Sequence, residues 1–159
     1  MTDPTRGSGR RRGGKLARAL DAARLLSQIG RDHSTVLDRR FAGFGLTTQQ
    51  AALLIHASDQ PVSPSHLTKV LGTDTAGMTR LVDRLEAKGL LYRRPHAEDR
   101  RAILIEITEA GRELVPALPP VFGQATGQLF AGFTSDEIIA LDAMFLRMRA
   151  NLAAAAEQP

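Results

Sequence analysis

Residues 63–89 hold two helix-length segments joined by a tight turn, and this junction limits the possible folds more than any other feature of the chain. Ser63 followed by Pro64 marks a helix start. The serine hydroxyl can accept from a first-turn amide, and proline at the first helical position gives up an N–H that would lack a partner anyway. Leu67, Val70 and Leu71 form the inward side of this segment, and Gly72 stops it. Thr73 or Asp74 starts the next helix, which runs to Lys88 with Gly89 as its stop and Met78, Leu81, Val82 and Leu85 as its apolar stripe. This is helix-turn-helix geometry, in which the second helix can project its other face into a DNA major groove.

The residues C-terminal to the junction narrow the fold further. Leu90 to Arg94 reads as a strand, Pro95 to Arg101 as a charged turn, and Ala102 to Ile107 as a second strand with Ile103, Ile105 and Ile107 on one face. A hairpin placed directly after such a helix is a wing. Upstream, Leu16, Ala19, Leu20, Ala23, Leu26, Ile29, His33, Val36, Leu37 and Arg40 recur three and four apart, predicting an amphipathic helix from Lys15 that ends at Gly43 and Gly45. Thr47 or Thr48 caps a second helix through about Ala57, with Ala51, Leu54 and Ile55 inward. Downstream, Thr108 caps a helix that must bend or pause at Pro116, Pro119 and Pro120. Thr134 with Glu137 forms a capping box for the last helix, striped by Ile138, Leu141, Met144, Phe145, Met148 and Leu152. The first helix is longer than one small core requires, so its stripe needs cover from a second copy or a second subdomain.

Composition removes whole classes of function. The 159 residues suffice for one core, so one domain with extensions is expected. With no cysteine there is no disulfide framework, thiolate zinc site, iron–sulfur cluster or thiol switch. The four histidines, His33, His56, His66 and His96, lack paired ligand spacing, so neither a metal nor a cofactor is expected. No window approaches a membrane span, and Arg18, Asp21 and Arg24 interrupt the one stretch resembling a sorting signal, which suits a soluble cytoplasmic protein. Lys and Arg outnumber Asp and Glu by 21 to 17. Five bases and one acid fall in residues 1–15, leaving 16 of each sign in the rest, so the whole excess of +4 sits at the start of the chain. Residues 1–14 carry four glycines and four arginines with little apolar content, which predicts a disordered basic arm. That arm is either a solubilising tail or a salt-sensitive attractor of phosphate that reaches into a minor groove. An enzyme is not expected: no nucleophile–base arrangement or phosphate-cradling loop is present, and Gly43-Phe-Gly45 lacks the strand context of a dinucleotide fingerprint.

Several stretches together carry a family resemblance: the run from Asp74 to Leu91, Arg93-Arg94, Asp99-Arg100-Arg101-Ala102, and Ile107-Thr-Glu-Ala-Gly111. From Leu46 through Gly111 the chain resembles the MarR family of transcription regulators, and the outer helices suit that family's dimerisation region. The resemblance implies a mainly α fold with a small β-hairpin wing, divided into the arm (1–14), an N-terminal dimerisation helix (15–45), a winged helix-turn-helix domain (46–108) and C-terminal dimerisation helices (109–159). It also implies a homodimer on a pseudo-palindromic double-stranded operator, usually released by a small ligand. Composition excludes the thiol peroxide sensors of the family, and the Trp-dependent urate-sensor pattern cannot be met.

On the second helix of the motif, Thr75, Ala76, Thr79, Arg80, Asp83 and Arg84 face away from the stripe. Thr75 and Thr79 can bond phosphate oxygens or base edges near the helix start, and Ala76 can touch a thymine methyl. Arg80 and Arg84 follow one turn apart and can reach phosphate or guanine; for Arg84, pairing with Asp83 or Glu86 is the competing reading. Gly77 either allows a close backbone approach or is a tolerated small residue. Arg93, Arg94 and His96 are candidates for phosphate contacts. At the wing tip, Asp99-Arg100-Arg101 matches the family signature, in which Asp99 orients Arg101 for a narrow minor groove; a solvated ion pair is the alternative. In this family effectors commonly lie between the dimerisation helices and the winged domain. Here His33, Leu37, Arg40, Phe41, Leu54 and His56 would line that space, Arg40 facing an anionic group and Phe41 a ring. His33 also reads as an interface histidine. The function expected is a dimeric repressor released by an aromatic or phenolic ligand; the alternative is a constitutive DNA-architectural or accessory binder with no effector.

Overall fold

The computed structural model describes residues 8–96 and 102–156. Contacts divide the chain into two units, residues 1–122 and 123–159. In the first, α1 (Ser8–Phe41) is followed by a 3-10 turn over Ala42–Phe44 and by α2 (Thr48–His56), α3 (Pro64–Leu71) and α4 (Thr75–Ala87). Strands β1 (Leu91–Pro95) and β2 (Ile103–Ile107), α5 (Glu109–Leu114) and the start of α6 (Leu118–Leu129) complete it. The second unit holds the rest of α6 and α7 (Ser135–Ala156).

Most boundaries fall where local chemistry puts them. The side chains of Thr47, Ser63, Asp74 and Thr108 each accept an amide of the following first turn. Thr47 and Gln50 close a full capping box, and Thr134 and Glu137 do the same at α7. Gly72 and Gly89 take positive φ, 61° and 69°, which leaves them free to turn the chain at the ends of α3 and α4. Pro116 falls in a 3-10 turn, while Pro119 and Pro120 sit in the first turn of α6, where a missing N–H costs little. One boundary differs from expectation. Residues 8–14, expected in a disordered arm, continue α1 back to Ser8. Extending a helix that is already nucleated fixes one residue per bond, and arginine is a good helix former, so Arg10–Arg12 can offset the cost of Gly13 and Gly14.

The core of the first unit is formed by Phe41, Leu46, Leu53, Leu54, Leu67, Met78, Leu85, Leu91, Ile105 and Leu118, all nearly inaccessible. Phe41 packs on Phe122 with ring centroids 4.8 Å apart, tying the end of α1 to α6. The hairpin is antiparallel, pairing Leu91 with Ile107 and Arg93 with Ile105. Val62, in the segment between α2 and α3, forms a bridge with Ile105: each amide donates to the other's carbonyl, at 3.0 and 2.8 Å. The bridge anchors β2 to the segment that leads into α3. In the second unit α7 has no buried residue, and Phe130 meets Phe133 edge-on at 5.8 Å.

Candidate nucleic-acid interface

Helix α4 turns Met78, Leu81, Val82 and Leu85 into the core, so its opposite side is solvent-exposed. Thr75, Ala76, Thr79, Arg80 and Arg84 all lie on that exposed side. Neither Arg80 nor Arg84 has an acidic partner among the described residues. The acids that could have paired with Arg84, Asp83 and Glu86, are instead taken by Arg93 from β1. Two unpaired guanidinium groups one turn apart on an exposed helix face are available to a polyanion.

The start of α4 is already occupied. Asp74 accepts the Gly77 amide at 2.5 Å, so a carboxylate offsets the positive end of the helix dipole. That charge opposes phosphate at the same place, leaving Thr75 and Ala76 better suited to base edges than to backbone. Thr79 donates its hydroxyl to the Thr75 carbonyl at 2.9 Å and retains its oxygen as an acceptor. A Cβ on Gly77 would come within 2.4 Å of Thr73 Oγ1 and 3.0 Å of Asp74 Oδ1. Glycine here therefore makes room for the cap, a reason that neither a close backbone approach nor mere tolerance supplies.

The wing strands carry two further arginines, both committed within the protein. Arg93 lies 2.5 Å from Asp83 and also pairs with Glu86. Burial opposes its charge, but the bonds and attraction of the two acids outweigh burial and raise its pKa above the ordinary value. The guanidinium considered for a phosphate contact is thus occupied by these intramolecular bonds. Arg94 Nε lies 2.6 Å from Glu106 Oε2, off the line of a hydrogen bond. Partial burial and the same Glu106 carboxylate raise the pKa of Tyr92. His96 donates its amide to the Ala102 carbonyl at 2.9 Å and closes the strand pairing. The wing-tip residues Asp99, Arg100 and Arg101 lie outside the described residues.

The residues expected to line a ligand cleft separate into different settings. Leu37, Phe41 and Leu54 are core, His33 and Arg40 are half-buried, and His56 is exposed. His33 Nε2 is buried without a hydrogen-bond partner in the single chain. An open groove of about 600 Å³ lies elsewhere, lined by Ala42, Gly45, Leu46, Thr47, Gln50, Arg84, Ala87 and Lys88, and includes none of the six. Lys88 Nζ there donates to the Gly45 carbonyl and to Gln50 Oε1, linking the end of α4 to the joint between α1 and α2. Asp38 strengthens that joint by accepting the Thr48 amide and hydroxyl at 2.8 and 2.7 Å. No local sequence signal marks either contact, because the partners lie 43 and 10 residues apart.

A helix-turn-helix with a free cationic face, continued by an anchored hairpin, defines a winged helix-turn-helix DNA-binding protein. Comparison with known proteins makes this specific. A model of the MarR family matches residues 44–102. Among solved structures, the chain is similar to the transcriptional regulator SlyA (24% identity, TM-score 0.77, covering 85% of this chain and 96% of that one). It is also similar to a mutant MarR from E. coli complexed with operator DNA (25%, 0.73, 82% and 95%). A MarR-family regulator from Listeria monocytogenes complexed with 26mer DNA shares the fold (22%, 0.74, 84% and 89%). Residues 44–102 thus match the MarR family, and the fold around them is that of winged-helix MarR regulators. Among the described residues no helix is long and apolar enough to cross a membrane.

Proposed function

We propose that two copies of this chain pair through their terminal helices and bind a pseudo-palindromic operator as a repressor, which a small aromatic or phenolic ligand releases. The observation that carries the operator reading is the exposed side of α4, where Thr75, Ala76, Thr79, Arg80 and Arg84 lie together with both arginines unpaired by acids. The structure of the E. coli relative on operator DNA supports it. In this reading α4 reads base edges in the major groove, while Arg100 adds positive charge along the backbone and Arg94, expected from sequence to join it, stays with Glu106. Asp99 holds Arg101 for the adjacent minor groove. The protein acts by binding, without catalysis, in the compartment that holds the DNA.

Unpartnered apolar surface supports pairing. On α1, Leu16 and Leu20 are each 63% exposed, and on α7 Leu152 is 72% exposed. Helices striped with leucine and methionine yet left uncovered in one chain gain burial from a second copy. Footprinting of the regulator's own upstream region, with sedimentation of the free protein, tests both parts. Protection of two half-sites about 10 base pairs apart by a dimer is expected. A monomer with no preference for that fragment over random competitor refutes the proposal.

For the effector, His33 and Arg40 are the polar members of the proposed site. An anionic aromatic ligand placed there shifts the spacing of the two α4 helices away from the half-sites. A specific observation favours the second reading, a DNA binder without an effector: Leu37, Phe41 and Leu54 already serve as core, with Phe41 packed at a tilt against Phe122. A thermal-shift screen with aromatic acids and phenols separates the two. A compound that raises Tm and lowers operator affinity supports the sensor, whereas a set of compounds that do neither supports the constitutive binder.

A further inference from the structure

Arg93 stands next to Arg94 in β1, in a run that reads from sequence as ordinary basic wing. Its side chain goes elsewhere. One guanidinium nitrogen lies 2.5 Å from Asp83 Oδ1, and the other donates to Glu86 Oε2. Asp83 and Glu86 are three residues apart on α4 and so lie side by side on one face. Their two carboxylates take both ends of a planar fork, which the single ammonium of a lysine could not span in the same way.

The backbone adds a third contact, because Glu86 Oε1 accepts the Arg93 amide at 3.2 Å. Hairpin register explains why that amide is free. His96 donates to the Ala102 carbonyl, so the bonded pairs of this antiparallel ladder fall at His96–Ala102, Arg94–Leu104 and Tyr92–Glu106. The Arg93 amide therefore points away from β2, and Glu86 meets it. One residue thus fastens the base of the wing to the helix that carries Arg80 and Arg84. It also offsets half of the negative charge that Asp83 and Glu86 would otherwise hold beside a phosphate backbone.

We propose that Arg93 is a positioning residue for DNA recognition. It holds the wing and α4 in one fixed relation, so that both engage a half-site in register, and it makes no phosphate contact of its own. This rests on the operator-binding reading above.

The test uses the full-length protein. Wild type first selects a duplex from a randomised pool. Affinities for that duplex and for a random duplex of equal length are then measured by fluorescence anisotropy across a salt series. Arg93→Ala is expected to weaken the selected duplex about tenfold and the random duplex by less than about twofold, with an unchanged salt slope. A phosphate contact gives a different pattern, in which both duplexes weaken by the same factor and the slope falls by about one. That result, or an unchanged ratio between the duplexes, overturns the proposal. Asp83→Asn combined with Glu86→Gln removes both negative charges of the fork, and one acceptor oxygen from each side chain, without touching a cation. It should reproduce the lost discrimination, and Arg93→Ala should add less than about twofold on top. If circular dichroism shows that Arg93→Ala does not fold, the amide pair decides, and discrimination retained by that pair overturns the role. A wild-type protein that selects no duplex refutes the operator reading itself and the Arg93 role with it, an outcome distinct from a discriminating wild type with an equally discriminating variant.

Discussion

Replacing Gly111 with alanine should destabilise the winged unit even though the substitution improves intrinsic helix propensity. Gly111 is buried in α5, and its amide donates to Thr108 Oγ1 at 3.1 Å. A Cβ built there would lie 2.1 Å from the Leu90 carbonyl oxygen, 3.2 Å from its carbon and 3.4 Å from Ile107 Cβ. Ordinary non-bonded carbon contacts begin near about 3.5 Å, so the new carbon overlaps a backbone atom by more than about 1 Å. Backbone cannot rotate out of the way, so α5 must move. The same Leu90 oxygen accepts the Thr108 amide at 3.1 Å, and Thr108 Oγ1 donates to the Gly89 carbonyl at 2.7 Å. Displacing α5 stretches both bonds, at about 1 kcal/mol each. Overpacking adds about 1–3 kcal/mol. Against this, alanine in place of glycine inside a helix contributes about 1 kcal/mol of stability. The net loss expected is about 2–4 kcal/mol, read by urea unfolding at fixed protein concentration with the m-value checked for a common unfolded state. A variant at least as stable as the wild type, with an unchanged m-value, would falsify the steric reasoning.

Other perturbations address the interface, the pairing and the last helix. Arg80→Ala and Arg84→Ala should each weaken DNA binding and lower the salt slope by about one if the arginine meets phosphate; an unchanged slope with lost sequence preference would reassign that arginine to a base edge. Leu20→Asp places a charge on an exposed apolar stripe and removes about 1–2 kcal/mol of burial per copy, so sedimentation should show a dimer dissociating at roughly thirtyfold to several hundredfold higher concentration. A sedimentation profile identical to wild type excludes that face of α1 from the contact. At α7, the Thr134 amide first and its hydroxyl second hold the Glu137 carboxyl below its ordinary pKa of 4.5. The charged cap therefore contributes in full above pH 4.5 and is lost as pH falls through the lowered value. Carboxyl NMR should place Glu137 below its ordinary value, and titration at or above that value would remove the cap's electrostatic contribution.

Residue types and their spacing were enough to mark the segments of this fold. Ser63-Pro64, Gly72, Asp74, Gly89, Thr108 and Thr134-Glu137 act over three or four residues, through caps and positive φ, so each helix end is written beside the helix it ends. The outward face of α4 was legible for the same reason, since a 3.6-residue period fixes which side chains oppose Met78 and Leu85. Only the packed chain decided which arginines are spoken for. Arg80, Arg84, Arg93 and Arg94 look alike in sequence, yet the fold brings Asp83 and Glu86 to Arg93 and Glu106 to Arg94, and leaves the two on α4 without an acid among the described residues. Tertiary structure alone also bridged Val62 to Ile105 and assigned Leu37, Phe41 and Leu54 to the core. Pairing and burial depend on where distant segments meet, and a local pattern of charge or hydrophobicity carries no record of that distance.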